Sequence, residues 1–212
     1  VMNVELDALG STLLALGNVT CDGPQESVFG VLEENSQGYP LYTPISLHDG
    51  EGSWSRGTES HDGMQSLTYQ SPMGVAAGDL NGDGLIDLVL PLDPIHAVLL
   101  GQAEGALKDV SQDTGLALLY DDWGAPMLAW GSAMLDLDRD GRLDLVMAHG
   151  DDGSRFEEPP EDAPPMFATA HLNRGDLSFV DATEALGLGR RGRWRALAVG
   201  DPDRDGDPDL VI

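Results

Sequence analysis

The chain has 212 residues, with 37 Asp and Glu against 11 Lys and Arg, for a net charge of −26. This balance repels nucleic acid and anionic membranes and leaves no basic patch to overcome that repulsion. No apolar run reaches the roughly 18 residues of a membrane-spanning helix, and the length suits one domain of ordinary size.

Residues 1–73 are rich in Gly, Ser and Pro, with apolar runs at Ser11–Leu16, Ser27–Leu32 and Leu41–Leu47 that read as short strands. The run at Leu13–Leu16 is short and preceded by Asp and Glu, which argues against an uncleaved signal peptide and suits a strand. The lone cysteine, Cys21, reads as a structural thiol, or else as one half of a disulfide to another chain or a missing segment. Asn18-Val-Thr20 is a glycosylation sequon, and Leu47–Gly63 reads as a long polar loop.

From residue 74 onward the chain repeats itself. Three stretches share one spacing: Asp79, Asn81, Asp83, Gly84, Asp87; Asp136, Asp138, Asp140, Gly141, Asp144; and Asp201, Asp203, Asp205, Gly206, Asp209. Each puts oxygen side chains at positions 1, 3, 5 and 9 and a Gly at position 6. Alternate residues of a tight loop converge their oxygens, the Gly permits the turn, and the carbonyl at position 7 (Leu85, Arg142, Asp207) adds another. That is an oxygen cage for a hard cation, Ca²⁺, and the expected role of the ion is structural. The second loop reads as the most regular site. The third has an additional acid in Asp207 and is stiffened by Pro202 and Pro208; it reads as the one most prone to stay empty, because its blade is incomplete and the sequence stops just beyond it.

The flanks argue against an EF-hand or dockerin pair, the lesser alternative: an EF-hand has helices on both sides and a bidentate Glu at position 12. Position 12 is Leu90, Met147 and Ile212. Short apolar runs stand before each loop (Gly74–Gly78, Gly131–Leu135, Ala196–Gly200), and Asp-Leu-Val follows each, so every loop joins two antiparallel strands. Farther on, Leu100–Ser111 aligns with Leu172–Thr183, each reading as strand, polar turn and strand. The loops start 57 and 65 positions apart, and a four-stranded unit at this period is the signature of a β-propeller.

These loops, and the run Leu172-Asn-Arg-Gly-Asp-Leu-Ser-Phe-Val-Asp-Ala-Thr183 with the later Gly187-Leu188, resemble the FG-GAP/VCBS repeats of integrin α-subunit propellers and bacterial secreted proteins. Within that group they look most like the cartilage-acidic-protein and UnbV-type branch. The resemblance covers about residues 74–212 and implies a seven-bladed propeller with calcium in the first hairpin of each blade. The expected fold is therefore all-β: a partial β-propeller of four-stranded antiparallel blades at about 74–111, 131–183 and 194–212, the last incomplete, behind an N-terminal segment 1–73 that reads as a degenerate blade. Seven blades need roughly twice this length, so the sequence reads as part of a longer polypeptide. Another chain or a missing segment is expected to complete the ring.

The remaining features carry bland readings. The acidic, Pro-rich insertion 149–165 reads as a semi-rigid solvated loop, with a recognition loop for a partner as the alternative. Trp123 and Trp130 suit packing between blades, and Arg174-Gly-Asp176 sits where the polar turn recurs as Gln102-Ala-Glu104. None of His48, His61, His96, His149 or His171 has a zinc spacing, and no nucleophile elbow, phosphate loop or dinucleotide fingerprint is present. The expected function is a non-catalytic calcium-binding module, secreted or at the cell surface (extracellular or periplasmic), binding a protein or a glycan. The scarcity of cysteine leans bacterial. A polysaccharide lyase is the enzymatic rival, poorly served by a basic set concentrated at Arg190, Arg191, Arg193 and Arg195. A structural subunit completing a split propeller is the third reading.

Overall fold

A computed structural model describes the chain from Met73 onward, except residues 94, 103–106, 121–123, 125, 151–165, 191 and 193. Ahead of Met73 it describes only the backbone of seven short strands: β1 (Ala15–Gly17), β2 (Glu26–Val28), β3 (Val31–Glu34), β4 (Pro40–Thr43), β5 (Ser46–His48), β6 (Trp54–Arg56) and β7 (Ser71–Pro72). The first six pair consecutively, β1 with β2, β3 with β4 and β5 with β6, all antiparallel. Cys21, the Asn18 sequon, the acidic part of the insertion, Trp123, Arg191 and Arg193 lie outside the described residues.

The described part is all-β apart from one helical turn. Strands β8 (Ala76–Gly78), β9 (Asp87–Leu90), β11 (Ala97–Gly101) and β12 (Leu107–Asp109) form an antiparallel sheet in the order β12-β11-β9-β8. The intervening β10 (Leu92–Asp93) pairs back to β7 instead. A second four-stranded sheet follows in simple meander order: β13 (Ala129–Leu135), β14 (Asp144–His149), β15 (Ala168–Asn173) and β16 (Phe179–Asp181). A third hairpin joins β17 (Ala198–Gly200) to β18 (Asp209–Val211). The helical turn α1 (Ser111–Thr114) follows β12, at a place without helical periodicity.

The repeated Asp-Leu-Val shows why these runs are strands. Successive side chains of a strand point to opposite faces, so Leu88 and Val89, like Leu145 and Val146, supply apolar groups to both sides of a buried sheet, and all four are fully buried. Between the two sheets, Val89, Val98 and Leu100 of the first pack with Leu145 and Met147 of the second. The other face of the second sheet, through Leu135, Val146 and Ala170, packs with Leu197 and Leu210 around the third hairpin. The sheets are thus stacked face to face. They meet closely enough that a Cβ on Gly74 would lie 2.5 Å from the carbonyl oxygen of Trp130.

The alignment of Leu100–Ser111 with Leu172–Thr183 is visible bond by bond. In the first sheet Asp109 accepts from the Ser111 amide at 2.9 Å, and Ser111 Oγ accepts from the Val98 amide at 2.9 Å. In the second, Asp181 accepts from the Thr183 amide at 2.8 Å, and Thr183 Oγ1 accepts from the Ala170 amide at 3.1 Å. An Asp-x-Ser/Thr turn therefore ties each fourth strand back to the third.

Candidate metal centre

Each loop is the turn of a hairpin: residues 79–87 between β8 and β9, 136–144 between β13 and β14, and 201–209 between β17 and β18. The local chemistry is the same three times. The position 1 carboxylate turns inward and caps the amides that follow it. Asp79 accepts from Gly82, Asp83 and Gly84 at 2.8, 3.0 and 2.9 Å. Asp136 accepts from Asp140 and Gly141 at 3.0 and 2.9 Å, and Asp201 from Asp205 and Gly206, both at 3.1 Å. The position 5 carboxylate accepts from the position 7 amide: Asp83 from Leu85 at 2.8 Å, Asp140 from Arg142 at 3.0 Å, and Asp205 from Asp207 at 2.9 Å.

The expected glycine at position 6 is left-handed in every loop, with φ of 86° at Gly84, 87° at Gly141 and 91° at Gly206. A second left-handed residue, at position 4, is not signalled by the spacing. It is Gly82 in the first loop but Arg139 (φ 61°) and Arg204 (φ 62°) in the others. Arginine carries no mark of that conformation, so the sequence gives it away only at Gly82.

In the first two loops the position 9 carboxylate differs from the rest in being buried, whereas Asp209 of the third is not. Asp87 and Asp144 are fully inaccessible. Asp87 accepts from the amides of Leu80 (2.7 Å), Asn81 (3.3 Å) and Gly101 (2.8 Å). Asp144 accepts from Leu137 (2.7 Å) and Asn173 (2.8 Å). Burial pushes the carboxyl groups of both above their ordinary range, and these amides oppose the shift. Asp138 and Asp136 raise Asp144 further by repulsion. Asp209 is likewise raised, first by desolvation and then by Asp203, Asp205, Asp201 and Asp207.

This repulsion arises because the carboxylates converge. Oxygens of Asp136, Asp138 and Asp144 lie within 4.8 Å of one another, and so do those of Asp201, Asp203 and Asp209. Positions 1, 3 and 9 of the second and third loops thus meet as the spacing requires. The all-oxygen, acidic donor set fits a hard divalent cation and offers nothing to a softer one. The third loop converges as well as the second despite its two prolines. The first has Asn81 at position 3, and its Nδ2 donates to Asp83 at 2.9 Å, which leaves two carboxylates at positions 1, 3 and 9. Arg142 turns its guanidinium onto Asp140, and Arg139 of the second loop pairs with Asp207 of the third.

Three histidines with no telling sequence spacing, His96, His149 and His171, are buried between the two sheets. The His96 and His149 rings lie 6.0 Å apart, and His149 Nε2 bonds to Thr169 Oγ1 at 2.9 Å. Among the described residues neither converging cluster of ligand atoms includes a histidine. Trp130 takes the packing role expected of it: its Nε1 donates to the Gly150 carbonyl at 3.0 Å, and the Arg195 guanidinium sits 4.6 Å over its ring. Arg174-Gly175-Asp176 is the exposed turn between β15 and β16. Among the described residues no helix is long and apolar enough to cross a membrane.

A search of curated proteins found none that matches this chain. Residues 136–212, which run from the second loop to the end of the third hairpin, match the family model described as the FG-GAP-like repeat. That stretch, with its two converging acidic loops and its blade-like antiparallel sheet, is thus similar to an FG-GAP-like repeat.

Proposed function

We propose that this chain is a non-catalytic, calcium-stiffened part of an extracellular β-propeller that presents loops to another protein or a glycan. The observation that carries this reading is the convergence of position 1, 3 and 9 carboxylates in two loops of one repeated geometry. Asp79, Asn81, Asp83, Asp87 and the Leu85 carbonyl would hold a first Ca²⁺. Asp136, Asp138, Asp140, Asp144 and the Arg142 carbonyl would hold a second, and Asp201, Asp203, Asp205, Asp209 and the Asp207 carbonyl a third. The ion would supply charge neutralisation and a fixed hairpin register. Calcium at the millimolar level found outside cells suits exposed loops of this kind.

The third hairpin supports the assembly part of the reading. Val211 is 64% exposed, whereas its counterparts are fully buried, Val89 against Leu145 and Met147 of the second sheet and Val146 against Leu197 and Leu210 around the third hairpin, and among the described residues no strand pairs with the outer edge of β18. A further strand, from a continuation of the propeller or from a partner chain, would cover that edge. Calorimetric titration of the full chain with Ca²⁺ tests the proposal. Two or three sites with micromolar to millimolar dissociation constants support it. Absence of any binding heat at millimolar Ca²⁺, together with an unchanged circular dichroism spectrum, contradicts it.

A further inference from the structure

The two four-stranded sheets hold their loops by the same bond. The amide of Gly101 donates to Asp87 at 2.8 Å, and the amide of Asn173 donates to Asp144 at 2.8 Å. The residues occupy equivalent places in the aligned runs, at the end of the third strand, and they differ in one respect: Asn173 has a side chain. That side chain is 1% exposed and fully engaged. Its Nδ2 donates to the Leu80 carbonyl at 2.7 Å and to the Leu143 carbonyl at 3.1 Å, and its Oδ1 accepts from the Gly175 amide at 2.9 Å.

Leu80 is position 2 of the first loop. Its amide donates to Asp87 at 2.7 Å, so it is held at one end by the last carboxylate of its own loop and at the other by Asn173. The result is an unbroken relay of three hydrogen bonds between the buried carboxylates of two loops. Asp87 accepts from Leu80 N–H, the Leu80 carbonyl accepts from Asn173 Nδ2–H, and Asp144 accepts from Asn173 N–H. Every member of the relay is buried, where hydrogen bonds are electrostatically strong and an unmade one is costly.

We propose that cation binding at the first two loops is coupled through Asn173, a positioning residue that touches neither ion; this rests on the calcium reading of the loops. A cation that draws Asp144 into its second-loop position fixes the Asn173 backbone. The fixed side chain then holds Leu80, and through it Asp87, in the arrangement that binds a cation in the first loop. Coupling of this kind is reciprocal. The first loop, with Asn81 in place of a third carboxylate, is the one that gains most from being preorganised.

Amide resonances of Gly84 and Gly141 read the two loops separately in the ¹⁵N-labelled full chain. Each of these amides donates to the position 1 carboxylate of its own loop, at 2.9 Å, so occupancy perturbs it. Asp138→Ala disables the second loop from an exposed position. In the wild-type background it is expected to raise the Ca²⁺ midpoint at Gly84 about fivefold, the low end of measured coupling. In an Asn173→Ala background the same substitution leaves the Gly84 midpoint unchanged. A simple loss of negative charge would shift it equally in both backgrounds, and that result overturns the role of Asn173. A Gly84 midpoint indifferent to Asp138→Ala in the wild-type background overturns the coupling, whether or not the Asn173 variant folds. If neither glycine responds to Ca²⁺, the calcium reading fails and the coupling fails with it.

Discussion

Arg139 of the second loop reaches across 68 positions of sequence to pair with Asp207 of the third. Both side chains are largely exposed, 72% and 47%. Exposed pairs contribute about 0–1 kcal/mol and are screened by salt. Arg139→Ala is therefore expected to lower stability by less than about 1 kcal/mol at physiological salt and by nothing measurable at 1 M NaCl. Urea denaturation at the two salt concentrations checks this; a larger loss that persists in high salt would show that the pair fixes the packing of the third hairpin.

Two aspartates of one loop should fail differently. Asp144 is buried and holds the Leu137 and Asn173 amides, so Asp144→Ala strands two donors and removes a cation ligand. It should cost at least about 2 kcal/mol even in EGTA. Asp138 is exposed, and Asp138→Ala should leave stability in EGTA within about 0.5 kcal/mol of wild type while reducing the gain from Ca²⁺. Chemical denaturation of both variants with and without Ca²⁺ separates scaffold from ligand. Equal losses in EGTA would contradict the division of labour.

Gly101 is a close-approach glycine: a Cβ there would lie 2.5 Å from the backbone oxygen of Ile86. Backbone cannot step aside as a flexible side chain can. Gly101→Ala should cost about 1–3 kcal/mol, read as a lower urea midpoint. A neutral result would mean that β9 and β11 tolerate a shift at the rim of the first loop.

Acid should loosen the seam between the sheets. Burial holds His96 at about 4 and His149 at about 3 and lowers His171, which Asp181 opposes. The three rings also repel one another when charged: His171 lowers His96, and both His96 and His171 lower His149. Their folded values lie below the unfolded value of 6.5, so the unfolded chain binds protons first. The stability they contribute is complete above pH 6.5 and is lost as pH falls toward the folded values. Each ring that stays neutral then costs about 1.4 kcal/mol per pH unit below 6.5. Denaturation midpoints between pH 7 and 5 should fall steeply in wild type and less steeply in His149→Leu; parallel slopes would contradict this account.

What the sequence made legible was local. Asp, Asn and Gly at fixed offsets are turn chemistry, and Asp-Leu-Val after each loop is strand chemistry, so the loops, their flanking strands and the aligned third and fourth strands could all be read along the chain. The relay from Asp87 to Asp144 could not. It depends on Leu80 and Asn173, 93 positions apart, meeting only when one sheet stacks on the other. The alignment did place Gly101 opposite Asn173, and that single difference was the available signal. The convergence of His96, His149 and His171 was hidden for the same reason, since nothing local ties the three together. Left-handed Arg139 and Arg204 were hidden because the loop closure imposes that conformation on whichever residue stands at position 4.

Thermal unfolding of the full chain in millimolar Ca²⁺ and in excess EGTA tests most directly the proposal that Ca²⁺ clamps these hairpins. With site dissociation constants of about 0.1 mM, each occupied loop adds about 1.4 kcal/mol. Three loops should raise the melting temperature by roughly 10 °C. A cooperative melt at the same temperature in both buffers would contradict the claim.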